Sequence, residues 1–130
     1  MIYIFSLIGP FILLLIERFL PYPFFIEEVY KFVLVKNSDI NSKSIFLSGL
    51  FFSLSESMLY ATNPIYQSEP IKFIYRFLIV TPMHLSTMFI FGFTLKNKPS
   101  KKYLQVAGLA IAILIHYIFN TLSLSTQTSL

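Results

Sequence analysis

Two long segments of this 130-residue chain, at positions 77–95 and 103–130, contain no Asp, Glu, Lys or Arg. At about 1.5 Å per helical residue, each segment is long enough to cross the roughly 30 Å hydrocarbon core of a bilayer. Charged residues make up only 12% of the chain, whereas soluble domains contain roughly 25%. A soluble protein of this length could not cover so much apolar surface, so the sequence predicts a membrane protein.

Prolines and polar turns divide the chain into helical segments. The Pro21-Tyr22-Pro23 turn ends the first segment, because proline disfavours helix in the residue before it. The polar stretch at 37–42 and the Asn63-Pro64 pair end two others. The predicted helices cover about residues 2–20, 24–36, 44–61, 71–95 and 101–124. We therefore expect an all-α fold, a polytopic transmembrane bundle of about five helices that forms one domain over residues 1–130.

The distribution of lysines predicts the orientation in the membrane. Lys36 and Lys43 lie in the connection between the second and third segments, and four more lysines lie at 96–102, between the fourth and fifth. Lysine-rich loops stay in the cytoplasm. With five spans, we expect a multi-pass integral membrane protein with a cytoplasmic N-terminus and an external C-terminus.

Composition excludes several other classes of function. The net charge of +4 comes from basic residues that lie mostly at segment ends, and such residues indicate topology rather than nucleic-acid binding. The chain has no cysteine. Disulfides, thiolate metal ligands and a cysteine nucleophile are therefore excluded.

Several ionisable side chains lie inside the apolar segments, where a lipid-exposed helix carries none. Each ionised group at mid-bilayer costs roughly 2.5–3.5 kcal/mol, so these groups must face one another, water or a substrate. Helical rise places them within about 15 Å of a common depth, between mid-bilayer and the outer surface. The sequence therefore predicts a single intramembrane site. The residues are Glu27, Glu28, Lys31, Glu56, Arg76, His84 and His116.

The spacing of Glu27, Glu28 and Lys31 suits acid–base chemistry. Lys31 lies four residues after Glu27 and three after Glu28, so all three lie close together on a helix. The lysine can hold one carboxylate ionised while the other, removed from water, keeps its proton. The same residues also fit a charged helix start at the membrane interface, where the helix dipole favours acids.

The remaining polar groups have similarly open interpretations. His116 and Asn120 are four residues apart and point to one place, where an imidazole can orient water and an amide can donate to an oxyanion. Hydrogen bonding between helices is the alternative. Glu56 has no basic residue within one helical turn, so it is either protonated or paired with another segment. His84, taken alone, is typical of a hydrogen-bonded packing histidine.

Four short motifs, in order along the chain, resemble those of a known family. They are Glu27-Glu28-x-x-Lys31, Phe52-x-x-x-Glu56, His84 with Arg76 two turns before it, and His116-x-x-x-Asn120. The first three resemble the EExxK motif, the FxxxE motif and the next histidine element of PrsW-type intramembrane proteases. The last resembles the HxxxN motif of the wider CAAX-protease and bacteriocin-processing superfamily.

This resemblance implies hydrolysis of a membrane-anchored protein or peptide by a glutamate-activated water. Glu27 would be the general base, tuned by Glu28 and Lys31, and Phe52 and Arg76 would support the site. Glu56 and His84 would position the water, and His116 and Asn120 would stabilise the oxyanion. The glutamate mechanism requires no cofactor. Zinc bound by Glu56, His84 and His116 is an open alternative, because two histidines and a carboxylate leave one position free.

Two other classes of function fit the same residues. A small proton-coupled carrier would use the carboxylates as a relay. A catalytically silent membrane binding or immunity protein would keep the fold alone. The sequence favours the protease, because His116 and Asn120 supply oxyanion chemistry that a proton relay does not need.

Overall fold

The computed structural model describes residues 2–17, 19–20, 22–38, 41–62, 70–96 and 101–127. These residues form five α-helices and one short π-helical segment, and no strand lies among them, which confirms the all-α prediction. The helices are α1 (Ile2–Glu17), α2 (Pro23–Lys36), α3 (Ser42–Ala61), α4 (Pro70–Phe91) and α5 (Lys102–Gln127), and the π-helical segment is Gly92–Lys96. The predicted bounds differ most at three helix ends. The α1 helix ends at Glu17 rather than 20, α5 ends at Gln127 rather than 124, and α4 ends at Phe91 rather than 95, where the π-helical segment follows it.

Local sequence explains several helix ends. Pro23 is in the first turn of α2, where its missing N–H costs no hydrogen bond. The Asn41 side chain accepts the Ser44 N–H at 2.9 Å and caps the start of α3. The predicted breaks at Pro21 and at Asn63-Pro64, and the predicted cytoplasmic Lys98, lie outside the described residues.

Three helical segments are long and apolar enough to cross a membrane. They are Ser42–Ala61, Ile71–Leu95 and Lys102–Leu122. The α1 and α2 helices contain 16 and 14 residues, and a full span takes about 17–25. The five-span topology and the orientation of the termini therefore stay predictions.

An apolar cluster joins all five helices at one end of the bundle. It lies where α2 and α4 end and where α1 and α3 begin. The ionisable residues that the sequence singled out lie toward the other ends of these helices. Hydrophobic packing thus fixes one end of the bundle, while the other end holds the polar groups. The members of the cluster are Ile2, Val35, Ile45, Met88, Phe91, Leu95 and Ala112.

Hydrogen bonds from neighbouring helices hold the first half of α1. The Ser55 hydroxyl of α3 donates to the Leu7 carbonyl at 2.5 Å, and the Tyr30 hydroxyl of α2 donates to the Phe5 carbonyl at 2.8 Å. Pro10 follows inside the helix. It has no N–H to give to the carbonyl four residues earlier. The α1 helix is therefore held by its neighbours before Pro10, and it lacks one backbone hydrogen bond at Pro10.

The α3 and α4 helices approach each other closely through small residues. A Cβ added at Gly49 would lie 2.9 Å from Leu85 Cδ2 and 3.3 Å from Leu85 Cα. The Ser53 and Thr81 hydroxyls are 2.7 Å apart. Small residues at such crossings let membrane helices pack backbone to backbone. This contact sets the spacing between Glu56 on α3 and the polar residues of α4.

Replacing Gly49 by Leu should destabilise the bundle, because the new side chain would collide with the Leu85 main chain. We expect a loss of about 1–3 kcal/mol, measured as a lower unfolding temperature by circular dichroism in detergent micelles. Ala110→Leu, at an exposed position of α5, is the matched control and should melt like wild type. Equal melting of both variants would show that α3 and α4 do not depend on this close contact.

Candidate active site

A fully buried lysine lies at the centre of the polar end. The Lys31 side chain is 0% exposed. Its Nζ donates to Glu28 Oε1 at 2.6 Å and to His84 Nδ1 at 2.7 Å, and it lies 4.6 Å from the centre of the Phe52 ring. A buried cation needs such partners, because it has lost its hydration. Lys31 therefore ties together α2, α3 and α4.

The ammonium group determines the tautomer of His84. Because Lys31 donates to Nδ1, this nitrogen carries the lone pair and Nε2 carries the hydrogen. The Nε2–H donates to Glu56 Oε2. His84 is also 0% exposed. Its two ring nitrogens therefore have protein partners and no contact with solvent.

Glu56 is paired with α4, which is one of the two alternatives that its sequence context left open. Besides the His84 bond, its Oε1 accepts a hydrogen bond from Arg76 Nη2 at 3.1 Å. The Arg76 guanidinium also lies over the Tyr60 ring, 3.3 Å from its centre. Two donors, one of them cationic, stabilise the ionised form of the Glu56 carboxylate.

His116 connects α5 to the same network. Its Nδ1 lies 2.8 Å from Glu28 Oε1, so the Nδ1–H donates to the carboxylate that also pairs with Lys31. The other ring nitrogen, Nε2, lies 3.9 Å from Glu27 Oε2. That distance is too long for a direct hydrogen bond. In its neutral form, with the hydrogen on Nδ1, the ring would present an acceptor nitrogen toward Glu27.

Glu27 is the least satisfied carboxylate of the described network. Its Oε2 is buried and has no hydrogen-bond partner among the described residues. A buried unpartnered acceptor is unfavourable, and it is also the group best able to accept a proton or a hydrogen bond from an incoming molecule. Oε2 of Glu28 is also buried and has no hydrogen-bond partner among the described residues.

Glu27 and Glu56 share a cavity of about 400 Å³ next to α1. Apolar side chains of α1 and α3 form part of its wall, and polar groups form the rest. Its lining residues are Pro10, Leu14, Glu17, Glu27, Glu56, Leu59, Tyr60 and Thr62. Glu17 does not stand out in the sequence, because an acid at the end of an apolar segment is typical of a helix terminus at the membrane surface.

The structure brings together nearly all the residues that the sequence singled out. Glu27, Glu56 and His84 each offer an atom within 4.8 Å of the others, and the His84 and His116 rings are 5.7 Å apart. Asn120 is the exception. It is half-buried on α5, one turn after His116, and within the described part of the chain no hydrogen bond joins it to the network.

The residues present do not suit the zinc ion that the sequence left open. The closest group of ligand atoms is Glu27, Glu56 and His84, and His116 is not part of it. His84 offers Nε2–H rather than a lone pair, because Lys31 occupies its other nitrogen. A divalent cation would also face the charges of Lys31 and Arg76 at close range. The donor set therefore favours a site without metal.

No protein-family model matches the chain, and no curated protein or solved structure matches it. Function is therefore inferred from the motifs and from the geometry of the site.

Lys31→Met should destabilise the protein strongly, because it leaves the buried Glu28 carboxylate without its cation. Breaking a buried pair from one side costs about 3–5 kcal/mol. Lys36→Met, at an exposed lysine of the same helix, is the control and should have little effect. The measurement is denaturant unfolding in micelles. Similar losses in both variants would contradict a central role for Lys31.

Proposed function

We propose that the protein is an intramembrane endopeptidase that cleaves a membrane-anchored protein or peptide by means of a water activated by Glu27. The observation that carries this proposal is the buried Glu27 oxygen on the cavity wall, which has no partner among the described residues and lies 3.9 Å from His116 Nε2. With His116 neutral, a water placed between these two atoms would donate one hydrogen to each. The motif resemblance supports the same assignment.

Hydrolysis would begin when Glu27 takes a proton from this water while the water oxygen attacks the peptide carbonyl carbon. His116, held by its bond to Glu28, would orient the water. This role suits His116 better than oxyanion binding, because its hydrogen is on the nitrogen that faces Glu28. Asn120, one turn further along α5, is then the proposed oxyanion donor.

Glu56 and His84 would fix the opposite side of the site. Glu56 lines the cavity as an ionised group held by Arg76 and His84. Lys31 joins this half of the network to Glu28 and so to His116. Hydrogen bonds among α2, α3, α4 and α5 thereby hold the water-binding atoms of Glu27 and His116 in place. Hydrolysis requires such preorganisation.

The membrane setting belongs to the same proposal. Three helices are long and apolar enough to span a bilayer. With α1 and α2 also crossing it, the lysine distribution puts the N-terminus in the cytoplasm and the C-terminus outside. The cavity would then open in the outer half of the membrane, where single-span proteins present their external juxtamembrane segments.

Glu27→Gln should abolish proteolysis while leaving the protein folded, because Gln keeps the shape of Glu but cannot accept the proton. Loss of a general base costs about 10²–10⁴ in rate. The assay is cleavage of a panel of co-expressed single-span proteins, followed by turnover of a reconstituted transmembrane peptide.

Lys36→Met provides a folded, active control for this assay, and a chelator should leave the wild-type rate unchanged. Cleavage that persists in Glu27→Gln would remove Glu27 as the base. Cleavage that stops with the chelator and returns with zinc would replace the metal-free mechanism.

A second candidate is a proton carrier, and one observation favours it. Hydrogen bonds run without interruption from Arg76 through Glu56, His84, Lys31 and Glu28 to His116. Such a chain of titratable groups is also what a proton relay needs. The two functions differ in their dependence on Asn120, which has no titratable proton.

Asn120→Ala should slow cleavage by about 10²–10³, the usual cost of losing one oxyanion donor. The helix should persist, because alanine is the better helix former. The experiment measures peptide turnover and proton flux in the same reconstituted vesicles. Glutamate-dependent flux that is indifferent to Asn120, with no peptide cut, would favour the carrier over the protease.

A further inference from the structure

A second concave surface lies outside the polar site, between α4 and α5. It is a groove of about 460 Å³. Phe89 of α4 and Phe93 of the π-helical segment form one wall, and Leu104 and Ile111 of α5 form the other. Phe89, Phe93 and Ile111 are each about half exposed, at 45%, 56% and 50%. None of these four side chains has a part in the proposed proteolysis.

Small residues bring α5 close to the π-helical segment at this groove. A Cβ added at Gly108 would lie 2.8 Å from Thr94 Cγ2, and the neighbouring Ala107 carries only a methyl group. Among the described residues that line the groove, only Thr94 has a polar side chain. Its hydroxyl already donates to the Ile90 carbonyl at 2.8 Å. The groove therefore offers hydrocarbon surface and suits an apolar occupant.

Two exposed lysines lie at one end of the groove. Lys101 and Lys102 precede Leu104 by less than one helical turn, and helical rise carries the groove about 10 Å further, from Leu104 to Ile111. No Asp or Glu occurs between positions 70 and 130, which include both walls. No carboxylate in the described part of the chain forms a salt bridge with either lysine. The mouth of the groove therefore carries uncompensated positive charge, to which the start of the α5 dipole adds.

The groove lies in a part of the protein that is suited to contact lipid. Its walls belong to two of the three segments that are long and apolar enough to cross a membrane, Ile71–Leu95 and Lys102–Leu122. A phospholipid joins apolar chains to a charged headgroup, and basic residues beside membrane helices attract the anionic kind. A second copy of this chain is a poorer occupant. Symmetric parallel packing would bring its own two lysines to the same end, where like charges repel.

We propose that an anionic phospholipid binds here, with one acyl chain in the groove and its phosphate beside Lys101 and Lys102. Lysine suits this position, because its stem can lie along apolar surface while its ammonium group reaches the headgroup. The acyl chain would gain dispersion contacts with both walls. Part of the groove is the π-helical segment, a rare structure that is frequent at functional sites. This site does not depend on the proposed proteolysis.

The test uses tryptophan fluorescence, because the chain has no tryptophan of its own. Phe93→Trp, with Phe89→Trp as a second reporter, places one indole on the groove wall. Each variant is reconstituted in mixed phosphatidylglycerol and phosphatidylcholine vesicles, in which one lipid at a time carries brominated chains that quench the indole. We expect both reporters to show a preference of about fivefold to thirtyfold for phosphatidylglycerol, about fivefold for each lysine near the membrane surface.

Ile4→Trp is the matched reporter outside the groove, because Ile4 is exposed on α1 at the same end of the bundle. Its preference should stay below about twofold, since lipid there meets no groove beside paired lysines. An equal preference at Ile4 and Phe93 would show general attraction to the surface and would overturn the proposal. An indole at Phe93 that neither brominated lipid quenches would place another protein chain in the groove and would also overturn it.

Further substitutions in the Phe93→Trp protein separate the two parts of the site. Lys101→Gln combined with Lys102→Gln should reduce the preference to about twofold or less. Lys36→Gln combined with Lys43→Gln removes the same charge from two other exposed lysines and should leave the preference unchanged. Ala107→Leu fills the groove from an exposed position and should reduce the preference as well. A preference that survives either loss of Lys101 and Lys102 or filling of the groove would overturn the proposal, with helicity checked by circular dichroism.

Discussion

The buried ammonium group of Lys31 is the interaction on which the polar half of this protein depends. It forms a pair with Glu28, sets the tautomer of His84, and lies against the Phe52 ring. Through these contacts one cation fixes side chains from α2, α3 and α4, and Glu28 extends the network to α5. A membrane interior offers no water to replace such contacts, so the network must be satisfied from within.

Balanced charge explains why these groups can stay buried together. Two cations, Lys31 and Arg76, each compensate one carboxylate. The carboxyls of Glu27 and Glu17 have no such compensation in the described part of the chain, and both face the cavity. The network thus separates groups that hold the helices together from groups available for chemistry. The proposed base, Glu27, belongs to the second kind.

Much of this arrangement could be predicted from the sequence. Prolines, polar turns and charge-free stretches located the five helices, and the cost of isolated charges in lipid implied that Glu56 would be either protonated or paired with another segment. Spacing along one helix could not show that Lys31 chooses Glu28 over Glu27, because that choice depends on His84 and His116 from other helices. Glu17 could not be recognised from the sequence, because only the folded structure places it in the cavity that Glu27 and Glu56 also line.

The two halves of α1 on either side of Pro10 are held in different ways. The first half is fastened to α2 and α3 through its carbonyl groups at Phe5 and Leu7. The second half, which carries Leu14 and Glu17, forms a wall of the cavity. Bending at a proline sacrifices fewer backbone bonds than bending elsewhere in a helix. Bending α1 at Pro10 would therefore cost less than bending it elsewhere along the helix, and it would move the part of the cavity wall that carries Leu14 and Glu17.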